Sequence, residues 1–413
     1  MKYCKYCGAS LDDDSKFCDK CGKPTGILKE LKPSKLPLVK NPLFNLRIVL
    51  PVILGLILVG GGIVALLIFT SSPKSSPSPS SPSPSSYTYS VGSNPRAIAI
   101  DSSGNVWVTN WGNGTPGTAS GDSNITELSS SGALIGTYVA GSFPHAIAID
   151  SSGNAWVTNF GNGTSGTASG DSNVMELNSS GKLIGTYVTG GYSDFIAIDS
   201  SGNMWVTNSY SDCIVKLNSS GKLIGTYVSG GGSDAIAIDS FSNVWVTNFS
   251  GGGTVTKLNS SGGSIGTYTI GSKPWAIAID SLGNVWVVSN VNNNVTELSS
   301  SGKLIGTYTV GSYPYAIAID ANGNVWVANG GNGTPGTASG DSNVTELNSS
   351  GKLIGTYVAG SYPDAIAIDP SGNVWVANGG NGTPGTASGD SNITELPGVT
   401  AGPYFPYSGP QYP

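Results

Sequence analysis

The chain has 413 residues, of which 11% are charged and 60 are glycine, a composition that points away from helix-rich architectures. The formal net charge of −6 is unevenly distributed, because residues 1–47 hold 10 basic and 5 acidic side chains while residues 71–413 hold 9 and 20. The C-terminal part therefore carries a net charge of −11, which argues against nucleic acid as its partner. The single histidine, His145, restricts the general acid–base and metal chemistry that the chain can perform.

Four cysteines near the N-terminus form two pairs with metal-ligand spacing, Cys4 with Cys7 and Cys18 with Cys21, and each pair is followed by glycine. Two such turns supply the four tetrahedral thiolate ligands that Zn²⁺ prefers. The run KYCKYCGASLDDDSKFCDKCGKP resembles the zinc-ribbon modules at the N-termini of many archaeal and bacterial membrane proteins, and this resemblance implies Zn²⁺ on these four residues. We expect a structural metal in a module over residues 1–25, with a pair of disulfides as the alternative.

An apolar segment follows this module after a basic linker. Residues 48–70, IVLPVILGLILVGGGIVALLIFT, are 23 uncharged residues, about 35 Å as a helix, which is enough to cross a bilayer. The linker, residues 26–47, carries four lysines and Arg47, whereas only Lys74 lies within about 20 residues on the other side. We therefore expect a single-pass protein of the cell membrane with a cytoplasmic N-terminus and an extracytoplasmic C-terminal part, and a cleaved signal peptide is the alternative.

Low-complexity segments flank the large C-terminal domain. Residues 71–86, SSPKSSPSPSSPSPSS, predict an extended, polyproline-like stalk of up to about 50 Å. Residues 397–413 are rich in proline, tyrosine and glycine and predict a poorly ordered tail.

The domain between them, residues 87–396, contains seven copies of a phrase close to AIAIDxxGNVWVxN. Its aspartates recur at spacings of 49, 49, 40, 41, 40 and 49 residues, at Asp101, Asp150, Asp199, Asp239, Asp280, Asp320 and Asp369. Each copy holds four short β-type runs separated by turn residues, and four strands per unit of about 40 residues predict an all-β, seven-bladed propeller. The seventh copy lacks the final LIGTY run, and a similar run, YTYSV, precedes the first copy. We therefore expect the two ends of the chain to share one blade.

Two repeated residue types are predicted to be structural. Strand alternation places the seven repeated tryptophans inside blades that must bury both faces, so we expect them in the core: Trp107, Trp156, Trp205, Trp245, Trp286, Trp326 and Trp375. The aspartates of Asp-x-x-Gly-Asn are expected to bond the local backbone of a turn. The copy at Asp239, DSFSN, lacks the glycine, so we expect its turn to differ.

The combined pattern PxAIAIDxxGNVWVTN…VTELxxxG resembles the NHL-repeat and streptogramin (virginiamycin B) lyase-like family of seven-bladed propellers, over roughly residues 87–396. The resemblance implies the propeller fold and, for the lyases, the opening of a cyclic depsipeptide ester by histidines and a glutamate around Mg²⁺ at the channel mouth. This chain has only His145, and its repeated glutamates, such as Glu127 and Glu297, belong to third strands, away from the axis. The resemblance therefore supports the fold more than the lyase activity.

Positions that differ between near-identical copies are not fixed by packing, so they are candidates for ligand contact. Immediately before the innermost strands stand Arg96, His145, Asp194, Asp234, Trp275, Tyr315 and Asp364, and two residues earlier stand the aromatic residues Phe143, Tyr192, Tyr313 and Tyr362. Because strands alternate in direction, the loops from fourth to first strand and from second to third strand share one face, with extended loops in copies one, two, six and seven. We predict an aromatic and acidic rim around the channel on this face. Free drift of loop positions is the alternative.

These features together favour a non-enzymatic surface protein. It would consist of a cytosolic zinc ribbon, one membrane helix, a stalk and an extracytoplasmic propeller that binds a carbohydrate, a peptide or an envelope protein. The alternative is a lyase or hydrolase that uses Mg²⁺ or Ca²⁺ on the acidic rim, held by Asp194, Asp234 and Asp364 with His145.

Overall fold

A computed structural model describes part of the chain: residues 2–3, 10–11, 86–112, 123–161, 172–209, 212–271, 273–331, 342–380 and 391–398. The chain divides into two units, Met1–Ser75 and Ser76–Pro413. In the first unit, strands β1 (Lys2–Tyr3) and β2 (Ser10–Leu11) pair antiparallel. Within the described residues there is no helix long and apolar enough to cross a membrane. The four N-terminal cysteines, the predicted span and nearly all of the stalk and tail lie outside the described residues, as do the tips of the four extended loops.

The second unit consists of seven four-stranded antiparallel sheets, as predicted. It begins with β3 (Tyr87–Ser90), which is separated along the chain from the sheet that it joins. The other strands follow in chain order, four to a blade, and blades 1 to 3 contain β4 (Pro95–Ile100), β5 (Val106–Asn110), β6 (Asn124–Leu128) and β7 (Leu134–Val139); β8 (Pro144–Ile149), β9 (Ala155–Asn159), β10 (Asn173–Leu177) and β11 (Leu183–Val188); and β12 (Ser193–Ile198), β13 (Met204–Asn208), β14 (Cys213–Leu217) and β15 (Leu223–Val228). Blades 4 to 6 contain β16 (Ser233–Ile238), β17 (Val244–Asn248), β18 (Thr254–Leu258) and β19 (Ser264–Thr269); β20 (Pro274–Ile279), β21 (Val285–Ser289), β22 (Asn294–Leu298) and β23 (Leu304–Thr309); and β24 (Pro314–Ile319), β25 (Val325–Asn329), β26 (Asn343–Leu347) and β27 (Leu353–Val358). Blade 7 contains β28 (Pro363–Ile368), β29 (Val374–Asn378), β30 (Asn392–Leu396) and β3.

The ring closes through blade 7. Strand β3 pairs antiparallel with β30 in a register that sets Tyr87 opposite Glu395 and Ser90 opposite Asn392. The innermost strand of blade 7 in turn contacts the innermost strand of blade 1. The predicted sharing of one blade by the two ends of the chain is therefore confirmed, and it removes the open edges that an unclosed array would expose.

The core lies between the blades, where the second strands are buried along their whole length. All seven repeated tryptophans are at most 1% exposed, which confirms their predicted place in the core. Each indole Nε1 donates a hydrogen bond of 2.9–3.2 Å to the Oδ2 atom of the turn aspartate in its own blade. The Oδ1 atom of the same aspartate accepts backbone N–H groups two and four residues further on, as Asp101 does from Ser103 and Asn105. The turn role of these aspartates is confirmed as well.

The expectation that the glycine-free turn at Asp239 differs is wrong. Ser242 occupies the glycine position with φ of 59°, and its N–H donates to the carbonyl of Asp239 at 2.8 Å. The corresponding glycines, such as Gly283 with φ of 81°, make the same bond. The serine therefore accepts a left-handed conformation that costs an L-residue about 1–2 kcal/mol, because the surrounding strands fix the turn.

The loops that follow the second and fourth strands of each blade meet on one face, here called the upper face. The N–H of Trp111, after β5, donates to the carbonyl of Asn94, before β4, at 3.0 Å, and Phe160 bonds Phe143 in the same way at 2.9 Å. The predicted placement of these two loop sets on one face is confirmed. Because the strands alternate, the chain enters β3 and leaves β30 at the opposite, lower face.

Candidate binding site at the channel mouth

A cavity of about 170 Å³ lies on the axis of the ring and receives residues from all seven innermost strands. Five of the seven predicted rim residues line it, namely Arg96, His145, Trp275, Tyr315 and Asp364. Below them the lining consists of alanines and isoleucines of the AIAI phrases, with Phe195 in the place of one alanine. The strands thus bring most of the non-repeating residues to one opening, which we call the channel mouth.

Asp194 and Asp234, the other two predicted rim residues, stand beside the cavity rather than in its lining. Of the aromatic residues predicted two positions earlier, Phe143 packs on Trp111 with ring centroids 5.0 Å apart, and Tyr192 packs on Phe160 at 4.8 Å. Tyr313 is 45% exposed, and the carbonyl of Tyr362 accepts the N–H of Gly379 at 2.9 Å.

An ion pair joins blades 1 and 7 at the mouth. Arg96 Nη1 lies 3.1 Å from Asp364 Oδ2, and the guanidinium carbon stands 5.4 Å from the centre of the Trp111 ring. Burial raises the pKa of the Asp364 carboxyl, while electrostatic interactions, first with Arg96 and then with His145, oppose that rise. Arg96 Nε is buried and makes no hydrogen bond with the described residues.

A second pair joins blades 2 and 3. His145 Nδ1 lies 2.8 Å from Asp194 Oδ1 and 3.2 Å from the Asp194 carbonyl oxygen. The Thr158 hydroxyl donates to the same carbonyl at 2.7 Å and so anchors the backbone of the neighbouring blade. The imidazole edge meets the rings of Phe195 and Trp111 at centroid distances of 5.2 and 5.3 Å. His145 is therefore held on one nitrogen and packed on two sides.

Asp234, in blade 4, faces no neutralising cation among the residues that the structure describes. Burial, and after it the charge of Asp194, raise the pKa of Asp234 to about 8. Its Oδ2 atom is buried and finds no hydrogen-bond partner among the described residues. At neutral pH this carboxyl is therefore mostly protonated, and it can donate a hydrogen bond as an acid.

Sequence reasoning missed an aromatic layer around the mouth. Trp111, Phe160 and Phe249 each follow a second strand directly, and Phe249 meets Trp275 at 5.6 Å. Trp275 meets Tyr315 at 5.6 Å in turn. The signal was available, because this position also varies between the copies while its N–H bonds the loop that precedes the rim residue.

Several of the loop residues that precede the mouth are strained. Five of them that are not glycine have φ between 48° and 56°: Asn94, Phe143, Lys273, Tyr313 and Tyr362. In blade 4 the same position holds Gly232, which adopts this conformation freely, with φ of 56°. The left-handed conformation of each larger residue costs about 1–2 kcal/mol relative to a relaxed backbone conformation. Large side chains therefore occupy this position although the backbone conformation disfavours them.

A divalent-cation site at the mouth does not fit these residues. No group of three His, Cys, Asp or Glu side chains in the described part of the chain is placed to share one ion. Asp194 is engaged with His145 and Asp364 with Arg96, so the proposed set of three aspartates and a histidine is divided among separate contacts. The repeated glutamates are occupied on third strands, where Glu127 Oε2, for example, accepts the Tyr138 hydroxyl at 2.6 Å.

The model of the virginiamycin B lyase family matches residues 118–336, more than half of the chain. The chain belongs to the virginiamycin B lyase family. Residues 3–25, which include the four paired cysteines, match the model of the zinc-ribbon domain. No curated protein sequence matches the chain significantly.

Several solved structures, two of them lyases, share the fold of the propeller. A streptogramin B lyase is 17% identical, with a TM-score of 0.59 over 75% of this chain and 96% of that chain. A catalytically inactive histidine-to-alanine variant of virginiamycin B lyase from Staphylococcus aureus, crystallised with quinupristin, is also 17% identical, with a TM-score of 0.60 over 75% and 98%. The WD40 propeller domain of Doa1 reaches a TM-score of 0.58 at 12% identity over 75% and 95%. At such identities the likeness concerns the fold alone.

The raised pKa of the Asp234 carboxyl predicts a distinct pH dependence of stability. Because its folded-state pKa of about 8 exceeds the unfolded value of about 3.9, the stability that Asp234 contributes falls as the pH rises between these values. We expect Asp234→Asn to gain stability relative to the parent protein at pH 8.5 compared with pH 5. Urea unfolding of both proteins at the two pH values measures this change, and parallel pH profiles would contradict the raised pKa.

Proposed function

We propose that this protein is a membrane-anchored binding protein whose propeller captures a peptide, a carbohydrate or an envelope protein at the channel mouth. The observation that carries the proposal is that repeating and non-repeating residues have different roles. The repeated aspartates, glutamates and tryptophans are engaged in bonds within the blades, whereas the non-repeating residues gather around one cavity. A mouth with aromatic faces, a guanidinium and carboxyls has the mixed character of ligand pockets in proteins.

The strained loop residues support the same proposal. Gly232 adopts the left-handed conformation at this position without steric cost, yet Phe143, Tyr313 and Tyr362 adopt it with large aromatic rings. Strain of this kind accumulates at sites where a side chain must face a ligand. Rings at the edge of the mouth would supply rigid contact area for a ligand at low entropic cost.

The enzymatic alternative, a cation-dependent lyase or hydrolase, has the family membership as its support. The Staphylococcus aureus lyase is inactive when one histidine is replaced by alanine. This chain has a single histidine, His145, whose Nδ1 is engaged with Asp194. With no group of carboxylates and histidines gathered for a cation among the described residues, we favour binding without catalysis.

The segments before the propeller would supply the membrane anchor and a zinc-binding module. Residues 48–70 would cross the cell membrane once, with residues 1–47 in the cytoplasm and the propeller outside, because the basic residues lie on the N-terminal side. The zinc-ribbon match over residues 3–25 supports Zn²⁺ on Cys4, Cys7, Cys18 and Cys21, and four thiolates would make it a structural ion.

A peptide and glycan array probed with the full-length protein tests the binding proposal. We expect specific ligands whose affinity falls at least about tenfold in Trp275→Ala/Tyr315→Ala, because these two rings line the mouth. The matched control is Phe241→Ser/Leu282→Ser, which changes two side chains that are each 80% exposed on lower-face turns. Equal binding by the two double variants would contradict a ligand at the mouth.

Thiol labelling tests the orientation and the zinc together, in a Cys213→Ser background that leaves only the four N-terminal cysteines. We expect an impermeant maleimide to label none of them in intact cells, because they would lie in the cytoplasm. After permeabilisation, labelling should require a zinc chelator, since metal-bound thiolates are protected. Labelling of intact cells would contradict the orientation, and labelling without the chelator would contradict the metal.

A further inference from the structure

The part of the cavity that lies below the mouth residues has an apolar side-chain lining. Seven isoleucines, one from each innermost strand, contribute to it: Ile98, Ile147, Ile196, Ile236, Ile277, Ile317 and Ile366. The position before each isoleucine is alanine in six blades and Phe195 in blade 3. None of these side chains offers a hydrogen-bond donor or acceptor, so a polar group that entered this space would leave its water partners without replacement by a side chain.

The size of the cavity sets a limit on what can enter. The whole cavity, including the level of the mouth residues, has a volume of about 170 Å³, close to the roughly 150 Å³ of an apolar protein cavity that accepts benzene. One phenyl ring or one branched aliphatic group therefore fits, whereas a sugar ring would bring several hydroxyl groups into an apolar lining. The polar groups of the ligand would remain above, at the level of Arg96, His145, Asp364 and Tyr315.

Blade 3 gives the cavity its asymmetry. Phe195 occupies a position where the repeat otherwise has alanine, and its ring meets the His145 ring at 5.2 Å. The ring is half-buried and contributes to the cavity lining, so it narrows the channel on the side of blade 3. The alanine at the same position in blade 6, Ala316, is also half-buried and faces the cavity.

We infer that the channel is a side-chain pocket for a peptide ligand. It receives one leucine-sized or phenylalanine-sized apolar side chain, while the charged and aromatic mouth holds the peptide main chain. This inference rests on the proposed function and specifies the ligand class of the same site. Phe195 sets the size limit of the pocket, because it alone replaces the small alanine of the repeat.

The test uses the full-length protein and blocked amino acids, the N-acetyl amides of alanine, leucine, phenylalanine and tryptophan, with methyl glucoside as the carbohydrate probe. Ligand-observed NMR titrations give the affinities. For the parent protein we expect leucine and phenylalanine amides to bind with dissociation constants on the order of 1 mM, and the alanine amide at least about tenfold more weakly. Equal binding of all four amides, or preferential binding of methyl glucoside, would overturn the inference.

Two variants of opposite effect locate the pocket. Phe195→Ala introduces the residue that the other six blades carry, so the fold tolerates it, and it should raise the affinity for the tryptophan amide about tenfold or more. Ala316→Phe narrows the same layer and should abolish binding of the leucine and phenylalanine amides. An unchanged size preference in Phe195→Ala would overturn the inference even if Ala316→Phe failed to fold.

The outcomes distinguish this inference from the proposed function. Suppose that the affinity of the array ligands falls in the Trp275 and Tyr315 variant but is unchanged in Phe195→Ala and Ala316→Phe. This result would support the proposed binding function and contradict the side-chain pocket. Suppose instead that the affinities of the amides follow the predicted size series, while the mouth variants leave the affinity for array ligands unchanged. This result would support the side-chain pocket and contradict the proposed ligand contacts at the mouth.

Discussion

The closure of the ring by β3 is the interaction on which the rest of this structure depends. Tyr89 in this strand stacks on Trp375 at a centroid distance of 5.6 Å, and its hydroxyl donates to Glu395 Oε2 at 2.7 Å. It also covers Gly132 of blade 1, where an added Cβ would lie 2.0 Å from the tyrosine ring. A strand from the start of the chain therefore joins the last blade to the first. The geometry of the channel mouth depends on this closure, because Arg96 and Asp364 come from blades 1 and 7, which meet there.

The repeat itself is built around the turn carboxylate of each blade, which is buried in blades 3 to 7. The turn aspartate bonds the backbone and the indole, and in most blades a third-strand glutamate meets the tyrosine of the outermost strand, as Glu346 meets Tyr357 at 2.6 Å. In blade 3 a lysine takes the place of the glutamate, and Lys216 Nζ lies 3.4 Å from Asp199 and 4.4 Å from the Trp205 ring centre. Burial opposes ionisation of Asp199, but hydrogen bonds from Asn203 and Trp205 and the charge of Lys216 together hold its pKa below the usual value. These groups are therefore engaged within each blade, whereas most of the rim residues that vary between blades line the cavity.

The sequence was sufficient to predict everything that follows from the period. Seven copies of one phrase predicted seven blades, and the run missing from the last copy predicted the blade that the two ends share. Strand alternation predicted the buried tryptophans and the common face of the two loop sets. The period also identified the seven rim residues, although the structure places each of them as the second residue of its innermost strand rather than before it, and five of them line the cavity. All of these features depend on the spacing of residues along the chain, which can be read directly from the sequence.

Relations between neighbouring blades could not be predicted in this way. The pairs of Arg96 with Asp364 and of His145 with Asp194 depend on side-chain rotamers and on the angle between adjacent blades, which no spacing reveals. The buried Oδ2 atom of Asp234, which finds no partner in the described part of the chain, has the same origin, because its contacts depend on which neighbours reach it. The turn at Ser242 was predicted wrongly for a related reason, since the tertiary frame imposed a conformation that the local sequence disfavours.

A cross-link between the two ends of the propeller tests the closure most directly. Thr88 and Thr394 are opposite each other in the pairing of β3 with β30, so cysteines at both positions lie at a separation that a disulfide can bridge. In the full-length protein with Thr88→Cys, Thr394→Cys and Cys213→Ser, peptide mapping should find this disulfide, and its oxidation should stabilise the propeller by about 2–5 kcal/mol in denaturant unfolding. Absence of the cross-link under oxidising conditions, or a cross-linked protein less stable than its reduced form, would contradict a ring closed by the N-terminal strand.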